Sequence, residues 1–166
     1  MTNILNTGIR NARNVQQYTI GDGAIHDLSK LIGDRRTGNK EVIFFVDDYF
    51  KNDVQLKDKL GVEINDRVTF VATEDEPTTA YIDSKITELH NQSITHPAAI
   101  VGMGGGITMD VAKAVSNLLT NSGKAEDYQG WNLLKNPGIY KIAIPTLSGT
   151  GAEATRTCVM TNKKTG

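Results

Sequence analysis

Four glycines, an acid and a lysine stand close together in "AAIVGMGGGITMDVAKAV", residues 98 to 115. Gly102, Gly104, Gly105 and Gly106 separate an apolar run from a stretch with helical spacing, and Asp110 and Lys113 follow. Glycine lets the main chain take positive φ and lets a ligand approach it without meeting a Cβ. A helix beginning near Ile107 turns unpaired amide groups and the positive end of its dipole toward that loop. Together these make a seat for a phosphate or diphosphate. The plainer reading is a tight strand-to-helix turn with glycines for packing. One glycine would favour it; a run of three favours the anion seat. No Gly-Lys-Ser/Thr follows, so this is not a Walker A loop, and Ile107 takes the place of the third glycine of G-x-G-x-x-G.

Asp110 falls in the first helical turn, where the dipole favours a carboxylate by ~0.3–1 kcal/mol without any function. Lys113 lies at i+3 and can pair with it. Ile107, Val111, Ala114, Val115 and Leu118 take the buried side, so Asp110 and Lys113 are expected on the polar face. There they could orient sugar hydroxyls and steady the loop. A second cluster, "IAIPTLSGTGAEATRTC" (142 to 158), places Thr146, Ser148 and Thr150 around Gly149 and Gly151. These hydroxyls suit phosphate or ribose oxygens; as a helix cap they would instead serve Glu153. Two glycine and hydroxyl loops after neighbouring strand ends make a cleft floor.

The elements that would position these loops alternate. Apolar residues at Ile25, Leu28, Leu31 and Ile32 give 21 to 32 a helical stripe. "EVIFFV" (41 to 46) is a continuous apolar run, as in a strand covered on both faces. A helix is expected over 47 to 60, a strand over 67 to 72, and a helix from Thr78 to His90 after Pro77. "AAIVG" is a third strand, Ile107 to Leu119 a third long helix, and 140 to 145 another strand. This is the pattern of an α/β fold, an open parallel sheet with helices on both faces. Ligands bind beyond the carboxyl ends of such strands, where both glycine loops fall. "NSGKAEDYQGWNLLKNPG" (121 to 138) is a long polar connection of the kind more often functional. Its Tyr128 and Trp131 suit either a substrate contact or packing on the surface.

With 166 residues the chain reads as one domain. Its formal net charge of -1 and lack of a Lys/Arg block speak against nucleic-acid or anionic-membrane partners. The longest strongly apolar run, Val42 to Val46, is too short to cross a bilayer. The start, "MTNILNTGIRNARN", lacks a signal peptide's apolar centre, and Cys158 is the one cysteine, so a cytoplasmic location is expected. "TCVMTNKKTG" reads as a strand entering hairpin-turn residues, including Gly166, with no second strand following. The chain is therefore expected to be the front part of a larger protein.

"GGGITMDVAK" resembles the GGGSxxDxAK element of the iron-containing (group III) alcohol dehydrogenases. "PTLSGTGAE" (145 to 153) resembles their PTTxGTGSE element, "IGDGAIHDL" (20 to 28) their FGxGALxxL helix, and "EPT" (76 to 78) their NPT or EPT turn. The four elements stand in family order and span nearly the whole chain. The stretch from Asp127 to Met160 looks similar to the branch containing 3-deoxy-manno-octulosonate 8-oxidase, which oxidises a sugar-acid primary alcohol.

This resemblance implies that residues 1–166 are an N-terminal, Rossmann-like dinucleotide-binding domain facing an absent helical domain. That absent domain would hold the divalent metal, iron or zinc, and the catalytic residues. None of His26, His90 and His96 has an i+4 histidine partner, and none is expected to bind metal. The family's first core strand ends in an aspartate that accepts from the adenosine ribose; here that position is Asp47. Such a charge-assisted bond is worth ~1.5–3 kcal/mol, whereas a 2'-phosphate would be repelled, so NAD is favoured over NADP. A solvated pair of Asp47 and Asp48 capping the next helix is the plainer account.

On the family's pattern Gly104, Gly105, Gly106 and Ile107 wrap the diphosphate, and Asp110 reaches toward cofactor or substrate. Thr146, Leu147, Ser148 and Thr150 line the remainder, with Thr155 and Thr157 near the nicotinamide. Ile107 replaces the usual serine; the backbone amide survives there and Thr108 is adjacent. The implied reaction is metal-dependent oxidation of a small-molecule primary alcohol to an aldehyde with NAD. Family members commonly pair through this region, which allows a homodimer. Rival readings are a dehydroquinate synthase-like lyase that uses NAD, a kinase with a GGDG(S/T) loop, and a non-catalytic NAD-binding module.

Overall fold

The structure is a computed structural model and describes residues 15–165; the amino-terminal segment read above and Gly166 lie outside them. Four strands form one parallel sheet: β1 (Val42–Asp47), β2 (Arg67–Val71), β3 (Ala99–Gly104) and β4 (Lys141–Pro145). Their order is β2-β1-β3-β4. From β1 the chain goes outward to β2, then returns across β1 to β3, so the order reverses between β1 and β3. That reversal is the crevice where open sheets of this kind take ligands.

β1 and β3 are buried along their whole length. Ile43, Phe45 and Ile100 pack on one face against α3 (Thr79–Asn91) and α4 (Gly106–Leu118) through Ile82, Leu89, Val111 and Val115. Val42, Phe44, Val46, Val101 and Met103 pack on the other against α1 (Leu28–Ile32) and α2 (Leu56–Leu60). Alternate side chains thus enter two cores, which is why an unbroken apolar run suits these strands. Gly102 admits α4: a Cβ there would lie 2.8 Å from the Ala112 Cβ and 3.2 Å from the Met109 Cα.

At the amino end of β1, Asp66 accepts from both Arg36 Nη atoms (2.8 Å each), Val42 N (2.7 Å) and Glu63 N (2.8 Å). Desolvation alone would raise this carboxyl's pKa. The combined bonds from Arg36, Glu63 and Val42 outweigh it and hold the group below the usual carboxylate value. α3 starts where Thr78 Oγ1 accepts from Tyr81 N at 3.1 Å.

Two segments differ from the sequence-based expectation. The helix expected over 47 to 60 is a 3₁₀ turn, Asp48–Phe50, followed by the short α2. Asp53 Oδ1 accepts from Gln55 N at 2.9 Å, and this local turn competes with a continuous helix. No strand forms in 157–160; Thr161 makes a single bridge to Thr78. Side chains of α4 take the main-chain groups that a hairpin would use, as described below. The turn after Thr161 does form, with Lys164 N donating to Asn162 Oδ1 at 3.0 Å.

No helix of the described residues is long and apolar enough to cross a membrane.

Candidate dinucleotide site

At the switch point, β1 ends in Asp47, whose Oδ1 accepts from Tyr49 N at 3.1 Å. Only 8 % of the residue is exposed. Beside it β3 ends in Gly104 with φ +156. A Cβ on Gly104 would lie 2.8 Å from Thr108 Oγ1 and 2.9 Å from the Asp47 Cβ, so the end of β1 and the first turn of α4 close on this residue. α4 follows at once, and no side chain caps its start. Its first amide groups therefore lack intrahelical partners and point into the crevice.

Thr108 is fully buried and its Oγ1 has no hydrogen-bond partner. An unpaired buried hydroxyl is costly, and in a native fold it calls for a partner. Cβ-free glycines, an uncapped helix start and this unpaired hydroxyl fit a diphosphate. Asp47 at the neighbouring strand end fits a ribose hydroxyl. Ile107, by contrast, turns partly into the core beside α3.

The second loop leans on the first. Thr146 N donates to Gly104 O at 3.0 Å. A Cβ on Gly105 would meet Leu147 Cδ1 at 3.1 Å, and one on Gly106 would meet the Thr150 Cβ at 3.5 Å. Leu147 is 62 % exposed and so is an adjustable cover. Ser148 is exposed and makes no hydrogen bond within the described residues. The structure thus brings together Asp47, Gly104, Gly105, Gly106, Thr146, Leu147 and Thr150.

Asp110, Thr155 and Thr157 form a separate group. The expectation that Asp110 and Lys113 lie on a solvated polar face is corrected: each is only 8 % exposed. Residues 152–159 fold back over that side of α4. Lys113 Nζ sits 2.7 Å from Asp110 Oδ1 and donates to Ala152 O (3.1 Å), Thr155 Oγ1 (3.2 Å) and Thr157 O. Asp110 Oδ2 accepts from Val159 N at 2.9 Å. Oδ1 is buried with the Lys113 charge beside it but without a hydrogen-bond partner, so Val159 N holds the carboxylate from one side only. Helical periodicity marks the side of α4 that meets the sheet; it carries no sign of a later segment covering the other side. The residue the sequence reading undervalued is Lys113, whose motif position gave the only signal.

A hollow of about 1550 Å3 runs along β4, touching Lys113, Trp131, Lys141, Ala143 and Cys158, away from Asp47. A charged diphosphate is held by N–H donors more than by volume, so the switch point remains the candidate site. Trp131 is 71 % exposed with the Arg156 guanidinium 5.8 Å from its ring centre, while Tyr128 packs against the core. Among the described residues no three of His, Cys, Asp and Glu gather to hold a metal ion.

A switch-point aspartate, an adjoining glycine loop and a bare helix start stand where open parallel α/β sheets take their ligands. Comparison with known proteins gives the family: a model of the iron-containing alcohol dehydrogenases matches residues 16–166, and the chain belongs to that family. A sulfoacetaldehyde reductase of Bilophila wadsworthia is 48% identical over 67 residues, 40% of this chain and 17% of that protein. An NAD-dependent methanol dehydrogenase of Bacillus methanolicus is 28% identical over 147 residues, 86% of this chain and 37% of that protein. Among solved structures, a sulfoacetaldehyde reductase from Bifidobacterium kashiwanohense in complex with NAD+ superposes with a TM-score of 0.74 at 25% identity. The match covers 93% of this chain and 40% of that one. The chain thus spans less than half the length of these relatives.

Proposed function

We propose that this chain is the NAD-binding part of an alcohol dehydrogenase that interconverts a small primary alcohol and its aldehyde. One observation carries the reading: Asp47, Gly104 and the unpaired Thr108 hydroxyl meet at the uncapped start of α4. Amides of Gly105, Gly106 and Ile107 receive the diphosphate, and the Asp47 carboxylate accepts from the adenosine ribose. That carboxylate would meet a 2'-phosphate with repulsion, which favours NAD over NADP. Thr146, Leu147, Ser148 and Thr150 cover the bound cofactor, while Thr155 and Thr157 border its nicotinamide side, with Asp110 acting from beneath. Bound NAD supplies the hydride acceptor; these residues seat it and turn it toward the substrate.

In this reading residues 1–166 are the amino-terminal domain, and metal ligands and catalytic groups belong to a helical domain outside this sequence. The substrate class rests on the named relatives, which include proteins acting on sulfoacetaldehyde and methanol. The sugar-acid alcohol suggested by residues 127–160 is a further candidate substrate.

Calorimetric titration of NAD into the chain tests the placement. Asp47→Ala and Gly105→Leu should each weaken binding at least tenfold. Unchanged affinity in both would remove the cofactor from this crevice.

A further inference from the structure

The segment 152–159 contains no helix or strand. Its local bonds are few: Ala152 N to Thr150 Oγ1 (3.3 Å), Ala154 N to Gly151 O (3.0 Å), and Thr155 Oγ1 to Ala152 O (3.3 Å) and to Thr157 O (3.4 Å). Beyond it, Thr161 is fixed independently to the start of α3, since its N donates to Pro77 O at 2.9 Å. Between these ends, side chains of α4 hold the segment: Lys113 takes Ala152, Thr155 and Thr157, and Asp110 takes Val159. The Asp110–Lys113 pair itself is buried. α4 is also the helix whose first turn closes on Gly104. One rigid element therefore touches the glycine loop at its start and grips, from its side, a strap whose other anchors are the buried Ala152 and the packing of Cys158 on the core.

We propose that the buried Asp110–Lys113 pair is a clasp coupling order in the 152–159 strap to dinucleotide binding on the glycine loop. Lys113 is then a positioning residue that acts through the strap. The inference rests on the NAD reading for its ligand, and on geometry alone for the clasp. Coupling between two sites is reciprocal: a ligand that tightens the strap binds more weakly once the strap is loose.

Cys158, the one cysteine of the chain, lies between two clasped residues and is half-buried, so it serves as a probe. Burial first, and then the Asp110 carboxylate, push its thiol above the usual range, whereas Lys113 pulls it down. Removing Lys113 would therefore make the thiol intrinsically less reactive. Faster labelling in such a variant reports exposure.

The test measures Cys158 labelling by a small thiol reagent, with and without NAD, alongside NAD affinity by calorimetry. Lys113→Met should label about tenfold faster than wild type. NAD should slow labelling of wild type several-fold, leave the variant unaffected, and bind the variant about tenfold more weakly. Asp66→Asn, which destabilises the far end of β1 without touching the strap, should label at the wild-type rate. If Lys113→Met fails to fold, Asp110→Asn replaces it; it retains an acceptor for Val159 N and should show the same pattern at smaller size.

Wild-type labelling rates in Lys113→Met would overturn the clasp. Weaker NAD binding with unchanged labelling would also overturn it, by making Lys113 a direct ligand contact. Equal acceleration in Asp66→Asn would reduce the effect to global stability and overturn it too. Failure of wild type to bind NAD would overturn the cofactor reading and the coupling, while faster labelling in Lys113→Met would still establish the strap's fastening.

Discussion

The two glycine loops leave adjacent strands at the same end of the sheet, yet they are held in opposite ways. Gly104 and Gly105 are buried, and the main chain there is fixed by β3, by Asp47 and by the first turn of α4. Thr146 to Thr150 are exposed, and the strap after them is tied down by side chains from a neighbouring helix. The first loop is a preformed seat, and its shape is inseparable from the fold. The second is a cover that stands exposed above it on the bond from Thr146 N to Gly104 O, and only the strap beyond it is held by Asp110 and Lys113. Rigid donors below and adjustable contacts above suit a ligand that must both bind and leave.

That contrast can be broken most forcefully at Gly104. Gly104→Ala places a methyl against Thr108 and Asp47 at an unfavourable φ, and should cost about 3 kcal/mol in urea unfolding while abolishing NAD binding. Asp66→Asn should destabilise by a similar amount, about 3 kcal/mol, while leaving NAD affinity intact, so stability and seating separate.

The Asp66 effect also has a pH signature. Its pKa is lowered on folding, so its stabilisation is complete above the ordinary carboxylate value and is lost as pH falls through the lower folded value. Stability measured from pH 7 downward should therefore fall more steeply in wild type than in the variant, and the two curves should converge in acid.

Asp47→Ala should cost about 1 kcal/mol in unfolding, for the lost bond from Tyr49 N, but weaken NAD by roughly 10- to 100-fold, matching about 1.5–3 kcal/mol for a charge-assisted bond. The smallest effect belongs to the cover. Gly151 has φ +67 but nothing within 4 Å of a Cβ, so Gly151→Ala should cost about 1 kcal/mol, seen as a small shift in midpoint. Equal costs at Gly104 and Gly151 would erase the distinction between seat and cover.

Much of this fold is legible in the sequence because its central strands are simple. Val42 to Val46 and Ala99 to Val101 are buried on both faces, and such runs announce themselves without periodicity. The glycine loop is legible because conformational freedom and close approach select one residue type. Asp53 hid the break in the helix expected over 47 to 60, since an acid that folds back on the next amides looks the same in sequence as one facing water. The strand expected in 157–160 failed for a less local reason: Asp110 and Lys113, over forty residues earlier, take its main-chain groups. Their own burial has the same cause, a cover supplied by residues 152–159. Local patterns describe what a segment offers, and these segments were decided by distant partners.

The bond from Thr146 N to Gly104 O continues the β3–β4 ladder one step past the strands. Seat and cover therefore depart from a common rung, and neither can change length alone without tilting the other. For anyone recombining this chain with its relatives, residues 104–106 and 146–150 make a single cassette. Exchanged together they should keep their mutual fit, whereas either exchanged alone would carry the wrong half of a matched pair.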